Sequence, residues 1–193
     1  MLITFFILPF LMLAMDYPSS KPLIVFSENL TGRWQIVNDG VMGGLSQSTL
    51  VRNEQGNAVF IGDVSLRNNG GFASVRTQMP FKLSEFDGLK IRVRGDGKVY
   101  YLRLRAAQGN FLTRYSHEAR FTTNGEWQEI YIPFSDFNPV FRGSRLRNVP
   151  ALDLRNIAEL GFMIRDGQEG RFTLEIESVS AFRNSAIAEL GGE

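Results

Sequence analysis

The densest concentration of unusual chemistry in the chain is Trp34–Ser46, WQIVNDGVMGGLS. Asn38, Asp39 and Gly40 can close a turn, because these residue types tolerate left-handed backbone. Gly43 and Gly44 permit a second tight bend or a close backbone approach. Met42 precedes them with a flexible, polarizable thioether suited to soft contacts; the alternative is a long strand connection with Met42 folded into the core. A second cluster, Asn68-Asn69-Gly70-Gly71-Phe72, is followed by Ser74 and Arg76. It reads either as an ordinary β-turn or as the lining of a shallow polar groove. Amide and guanidinium groups in such loops hydrogen-bond hydroxylated ligands or peptide backbone. The candidate partner surface is therefore Asn38, Asp39, Met42, Gly43, Gly44, Ser46, Asn69, Gly70 and Arg76. Asn38, Asp39, Asn69 and Arg76 supply polar contacts, Met42 an adaptable apolar one, and the glycines the backbone shape. A structural reading stands beside the functional one for each residue.

Catalytic chemistry finds less support. Asp39, Asp63, Asp96, Asp136, Asp153 and Asp166 fall at expected strand ends or turns. Two carboxylates ~5–10 Å apart can run glycoside hydrolysis, but turn-forming and capping roles account for these residues. A structural calcium with loop oxygen ligands is a further alternative, without EF-hand spacing to support it. The single histidine, His117, lies in Tyr115-Ser116-His117-Glu118 and reads as a loop residue near solvent. No G-x-S-x-G elbow accompanies it. The glycine clusters fit neither a phosphate loop nor the strand–GxGxxG–helix context. The chain contains 0 Cys, which excludes disulfides, thiolate nucleophiles and zinc-thiolate sites. No catalytic residue, metal or cofactor is expected.

Charge gives no sequence-wide case for nucleic acid or an acidic membrane face, since 21 Lys+Arg meet 20 Asp+Glu for a net +1. A local cationic feature does exist. Arg92 and Arg94, and Arg103 and Arg105, lie on the outer faces of two expected strands. They read as solvated, with a stripe for an acidic protein partner as the functional alternative.

The elements that must position these residues are strands. At 193 residues the chain fits one domain. Leu89, Ile91 and Val93 alternate with Lys90, Arg92 and Arg94, the pattern of a half-buried strand. After Gly95-Asp96-Gly97, Tyr100, Leu102 and Leu104 alternate with Tyr101, Arg103 and Arg105. The two runs predict a hairpin. Further strands are expected at 23–26, 34–37, 48–52, 58–61, 72–77, 111–114, 127–132, 160–164 and 172–181. Single helical turns are expected at 83–86 and 134–137, and about two turns over 152–159. Many short strands between Gly, Asn and Asp turns predict a β-sandwich or barrel, and 16 Phe suit its core.

The domain spans residues 22–183, with a loose tail over 184–193. Residues 1–15 form a hydrophobic segment shorter than a bilayer span. An export signal or anchor, a translation start at Met15, and a folded part of the domain all remain open. Membrane contact is expected only through this segment, and the compartment follows from it: exported or membrane-associated if it is a signal or anchor, cytoplasmic if translation starts at Met15.

The motifs together resemble a known family. Trp34–Ser46 is similar to the opening signature of the complex I intermediate-associated protein 30 family. Phe60-Ile-Gly62, Asn69–Ala73, Gly88–Gly97 with Tyr100, Trp127–Phe137, Phe141–Gly143, Ile157–Asp166 and Phe172–Ile176 resemble its later elements in order. The resemblance covers about residues 26–182. It implies an all-β, galactose-binding-domain-like jelly-roll sandwich with one or two short helical turns. It also implies a non-catalytic binding role in assembly of respiratory complex I, with complex subunits or assembly intermediates as partners. Against organellar members this chain is short, which suggests a compact bacterial member. A carbohydrate-binding module is the alternative, with Trp34, Trp127 or tyrosines as its exposed platform; a glycosidase-like enzyme and a single-strand nucleic-acid binder are lesser ones.

Overall fold

A computed structural model describes residues 19–27 and 34–184. The hydrophobic segment 1–15 and residues 185–193 of the expected tail lie outside the described residues.

Among the described residues fourteen strands follow one another: β1 (Ser19–Val25), β2 (Trp34–Ile36), β3 (Gln47–Arg52), β4 (Ala58–Val64), β5 (Ala73–Phe81), β6 (Gly88–Gly95) and β7 (Val99–Gln108). The second half comprises β8 (Phe111–Leu112), β9 (Ser116–Thr122), β10 (Trp127–Pro133), β11 (Asn138–Phe141), β12 (Ser144–Arg145), β13 (Ile157–Ile164) and β14 (Gly170–Arg183). Single 3-10 turns occur at Asp39–Met42, Arg67–Asn69 and Phe134–Asp136. Among the described residues no helix is long and apolar enough to cross a membrane.

The strands form two antiparallel sheets in a jelly-roll sandwich. One runs β10-β6-β14-β4-β3, with β1 also pairing β14. The long β14 holds β4 with its first half and β1 with its second. The other sheet runs β12-β11-β9-β7-β13-β5-β2, with β8 beside β7. Period-two alternation aims one face of each sheet inward. Phe60 and Phe172 from the first sheet meet Tyr100, Phe121 and Phe162 from the second. Their ring centroids are 4.9 Å apart for Phe60–Phe172, 6.4 Å for Tyr100–Phe172, 5.9 Å for Tyr100–Phe121 and 6.5 Å for Phe121–Phe162. This aromatic chain joins the layers through the centre of the core.

The sequence expectation fails at the predicted hairpin. β6 pairs β10 and β14, whereas β7 pairs β9 and β13. The Gly95-Asp96-Gly97 link therefore crosses between sheets. The reason is burial on both sides: Leu89, Ile91 and Val93 face Tyr100, Leu102 and Leu104 across one core, and all six are fully buried. Asp96 fixes the crossing. It accepts the Tyr100 hydroxyl at 2.8 Å and the Thr173 N–H at 3.0 Å. Gly95 is required there, because a Cβ would stand 2.5 Å from Thr123 Oγ1.

Two other expectations are corrected. Leu152–Asn156 is a loop, not helix; Asp153 organises it by accepting Arg155 N–H at 3.1 Å and Asn156 Nδ2 at 2.8 Å, and β13 begins at Ile157. His117 lies on β9 with only 4% of its surface exposed, not in a solvated loop. Burial pushes its imidazole below the usual histidine value, against an opposing hydrogen bond with the Pro150 backbone.

Candidate functional site

The outer face of the second sheet carries a groove of about 740 Å³. Strand register builds its floor. On β13, Leu160, Phe162 and Ile164 point into the core, which sends Gly161 and Met163 outward. Gly161 pairs Arg76 of β5 on one side and Arg103 of β7 on the other, and Arg103 pairs Glu118 of β9. One cross-strand row thus reads Arg76, Gly161, Arg103, Glu118. The next row brings Gln78, Glu159 and Arg105 together. At Gly161 a Cβ would lie 2.6 Å from the Val75 carbonyl and 3.0 Å from Arg76 Cβ, so only glycine fits unstrained.

The groove is cationic. Arg76, Arg103, Arg105, Arg114, Arg142 and Arg165 line it, against Glu118 and Asp166. Glu159 is held between Arg76 at 3.6 Å and Arg105 at 3.5 Å. Glu118 is held between Arg103 at 2.9 Å and Arg165 at 3.2 Å. Six guanidiniums thus face three carboxylates. Arg114 and Arg142 have no carboxylate within 4.0 Å among the described residues. The Nε atoms of Arg76, Arg103 and Arg165 are buried without a hydrogen bond among the described residues; the Arg103–Glu118 approach is close but misaligned. Burial lowers the Arg103 pKa; Glu118 opposes that shift and neighbouring Arg76 adds to it. These arginines are part-buried and ion-paired, unlike the solvated face expected for Arg103 and Arg105. Arg92 and Arg94, on the other sheet, are the more exposed pair.

The Trp34–Ser46 segment forms one lip of this groove. Asp39 is wholly buried at its centre. Its Oδ1 accepts Ser46 N–H at 2.9 Å. Its Oδ2 accepts the Ser46 hydroxyl, Gly71 N–H at 2.7 Å and Phe72 N–H at 3.3 Å. Burial alone would raise its pKa, but the Ser46 hydroxyl and the Gly71, Ser46 and Phe72 N–H groups prevail and hold the carboxyl below its ordinary range. A Cβ at Gly44 would lie 2.4 Å from Asp39 Cγ, and one at Gly70 would lie 2.6 Å from Oδ2. Gly43 ends the 3-10 turn with φ of 89°. Asn38 accepts the Ser48 hydroxyl at 2.8 Å.

The nine candidate residues therefore separate in space by role. Asn38, Asp39, Gly43, Gly44, Ser46 and Gly70 knit two loops together. Met42, Asn69 and Arg76 face the groove, and Gly70 lines it as well. Met42 is 57% exposed and its neighbour Val41 72%. Two apolar side chains are thus held out to solvent on a backbone locked from beneath. Val41, Arg103, Arg105, Arg114, Phe141, Arg142 and Arg165 also line the groove, although sequence reasoning left them off the candidate surface. For Arg103 and Arg105 the signal was their alternation.

The tryptophans expected as a sugar platform lie elsewhere. Trp34 packs on Phe26 at 5.3 Å. Trp127 sits on β10 of the opposite sheet beneath Arg92 and Arg94, at 5.4 and 5.3 Å. The Tyr101 ring carries Arg165 at 4.1 Å.

The sequence profile of complex I intermediate-associated protein 30 (CIA30) matches residues 24–176, which contain both loops and every residue lining the groove. The chain belongs to the CIA30 family. It is 30% identical over 180 residues to "Complex I intermediate-associated protein 30, mitochondrial" of Mus musculus, covering 81% of this chain and 54% of that protein. It is 27% identical over 165 residues to the probable mitochondrial CIA30 of Caenorhabditis briggsae, covering 76% and 48%. The chain thus spans about half the length of these CIA30 relatives. A Schizosaccharomyces pombe protein described only as uncharacterized is 29% identical over 168 residues and covered to 77%, as is this chain. In structure, this CIA30 domain is similar to the family 11 carbohydrate-binding module of cellulase Lic26A-Cel5E from Clostridium thermocellum. The TM-score is 0.66 at 15% identity, covering 88% of this chain and 97% of that one. That likeness establishes the jelly-roll fold.

Proposed function

We propose that this chain is a non-catalytic protein-binding module that assists assembly or stability of a membrane-associated respiratory complex. Its partner surface is the groove, with Met42, Asn69, Gly70 and Arg76 in contact and Asn38, Asp39, Gly43, Gly44 and Ser46 holding the lip in shape. The observation that carries this reading is the exposed Val41–Met42 pair on a lip anchored by the buried Asp39 carboxylate. Exposed apolar residues on a rigid backbone bind with little ordering cost. The names of the mitochondrial relatives support a respiratory-complex partner.

The carboxylates support a binding role over hydrolysis. Glu118 and Glu159 are each shared between two arginines, so neither stands free in the groove to meet a glycosidic bond. The covered Tyr101 ring favours protein over a stacked sugar.

The test is removal of the chain from its native source, followed by native-gel separation of membrane complexes. Respiratory subcomplexes should accumulate. Wild type should restore the mature complex, and a Val41→Asp/Met42→Asp variant of unchanged thermal stability should not. An unchanged complex pattern after removal would contradict the proposal.

A further inference from the structure

The groove has a chemistry more specific than its lip. We infer that it takes an extended acidic segment of a protein partner, with one side-chain carboxylate held between Arg76 and Arg103. This inference rests on the protein-binding reading above and names the chemistry of the partner.

Charge complementarity is the first argument. Six arginines line the groove, only four of them pair with its three carboxylates, and each of Glu118 and Glu159 already serves two guanidiniums. A guanidinium carries five N–H donors and no acceptor, so donors remain in excess. Arg114 and Arg142, which line the groove with no carboxylate within 4.0 Å among the described residues, mark the same excess of positive charge. Ligand carboxylates supply acceptors in the geometry that guanidinium prefers.

Shape is the second. Arg76 and Arg103, which do line the groove, stand two strand spacings apart on either side of the buried Gly161, about 10 Å between Cα atoms. At that spacing the two long guanidinium side chains can converge on one ligand carboxylate from either side. From β5 to β11 the floor crosses four strand spacings, roughly 19 Å. That length takes about six extended residues at ~3.3 Å each. The ends of that path are apolar, with Val41 and Met42 at the β5 side and Phe141 at the β11 side. An acidic stretch flanked by apolar residues matches this order.

Other anions fit less well. Single-stranded nucleic acid and sugars gain much of their affinity from stacking on aromatic faces. Here Tyr101 is capped by Arg165, and Phe141 carries Arg142 at 5.4 Å.

The test uses the full chain and a fluorescent peptide of about six residues in an extended Glu-rich sequence with a Leu at each end. Its control replaces every Glu by Gln. Fluorescence anisotropy should show the Glu peptide binding at least about tenfold tighter than the control, an advantage lost between about 50 and about 300 mM salt. Arg76→Gln and, separately, Arg114→Gln should each weaken the Glu peptide about fivefold or more. Arg155→Gln, in a loop outside the groove, should leave it unchanged. Equal binding of the two peptides, or no effect of Arg76→Gln in a folded protein, would overturn the inference. So would tighter binding of a sulfated oligosaccharide or an oligothymidylate than of the Glu peptide. Peptide failure with respiratory complexes still dependent on Val41 and Met42 refutes only the acidic-segment inference. Peptide binding with respiratory complexes indifferent to removal of the chain supports the acidic chemistry and refutes the proposed function.

Discussion

Asp39→Asn tests how the lip is built. The carboxylate accepts Ser46 N–H at Oδ1, and at Oδ2 the Ser46 hydroxyl together with the Gly71 and Phe72 N–H groups. Asparagine has one acceptor oxygen. In either orientation its NH2 faces a backbone N–H, so at least one buried donor loses its partner and the remaining bonds lose their charge assistance. Hydrogen bonds to a charged group are worth about 1.5–3 kcal/mol each, so the loss comes to about 3–4 kcal/mol. A domain of this size shifts by about 2–4 °C per kcal/mol, which places the expected fall in melting temperature near 10 °C. The acid sign follows from linkage. The folded-state pKa lies below the ordinary value of 3.8, so the charged carboxylate contributes stability above about pH 4. That contribution is lost as pH falls through the folded value. Thermal melts followed by circular dichroism should therefore show a wide gap between wild type and variant at neutral pH that narrows toward about pH 3. A neutral-pH shift under about 2 °C, or a gap that widens in acid, would refute the reasoning.

Three further outcomes follow from the same geometry. Gly161→Ala should cost about 1–3 kcal/mol in urea unfolding, because its Cβ would press on the Val75 carbonyl at 2.6 Å; an unchanged midpoint would show that the floor can yield. His117 is the single histidine and is buried in a state that favours the neutral ring, so stability should fall as pH drops from about 7 to about 5.5, where carboxylates hardly titrate. Equilibrium unfolding of wild type and His117→Asn across that range checks this, and an equal slope in both would contradict it. Trp127→Ala removes the ring beneath Arg92 and Arg94 on the opposite sheet, costing about 1–2 kcal/mol from the two cation–π contacts. It should leave the respiratory-complex pattern intact, and a disrupted pattern would move the partner surface to the wrong face.

Local alternation made most strands legible. Leu89, Ile91 and Val93, or Phe172, Leu174 and Ile176, each satisfy a period of two and are buried as expected. Pairing was less legible, because alternation says which face is buried and not which sheet receives it. Hence the β6–β7 link, a turn by its residues, became a crossing between layers. β9 escaped because polar His117 begins its inward face while Ser116, Glu118 and Arg120 point outward, a weak contrast. β11 is short and contains Pro139, a residue suited to strand edges. The lip residues were visible as glycines and amides, but their division of labour was not. Nothing local to Asp39 shows that its carboxylate will meet Gly71 and Phe72, more than thirty residues away. The arginine floor needs the register of five strands before its residues become neighbours.

The central claim is that the groove, and not another face, meets the partner. A photo-crosslinking residue placed at Met42 in the full chain, expressed in its native source, tests it most directly. A second copy of the probe at Tyr131, exposed on β10 of the opposite sheet, serves as the control. Irradiation of membranes followed by mass spectrometry should identify respiratory complex subunits or assembly intermediates joined to the Met42 position and absent from the Tyr131 position. Adducts to those subunits from Tyr131 alone, or none from Met42, would contradict the account.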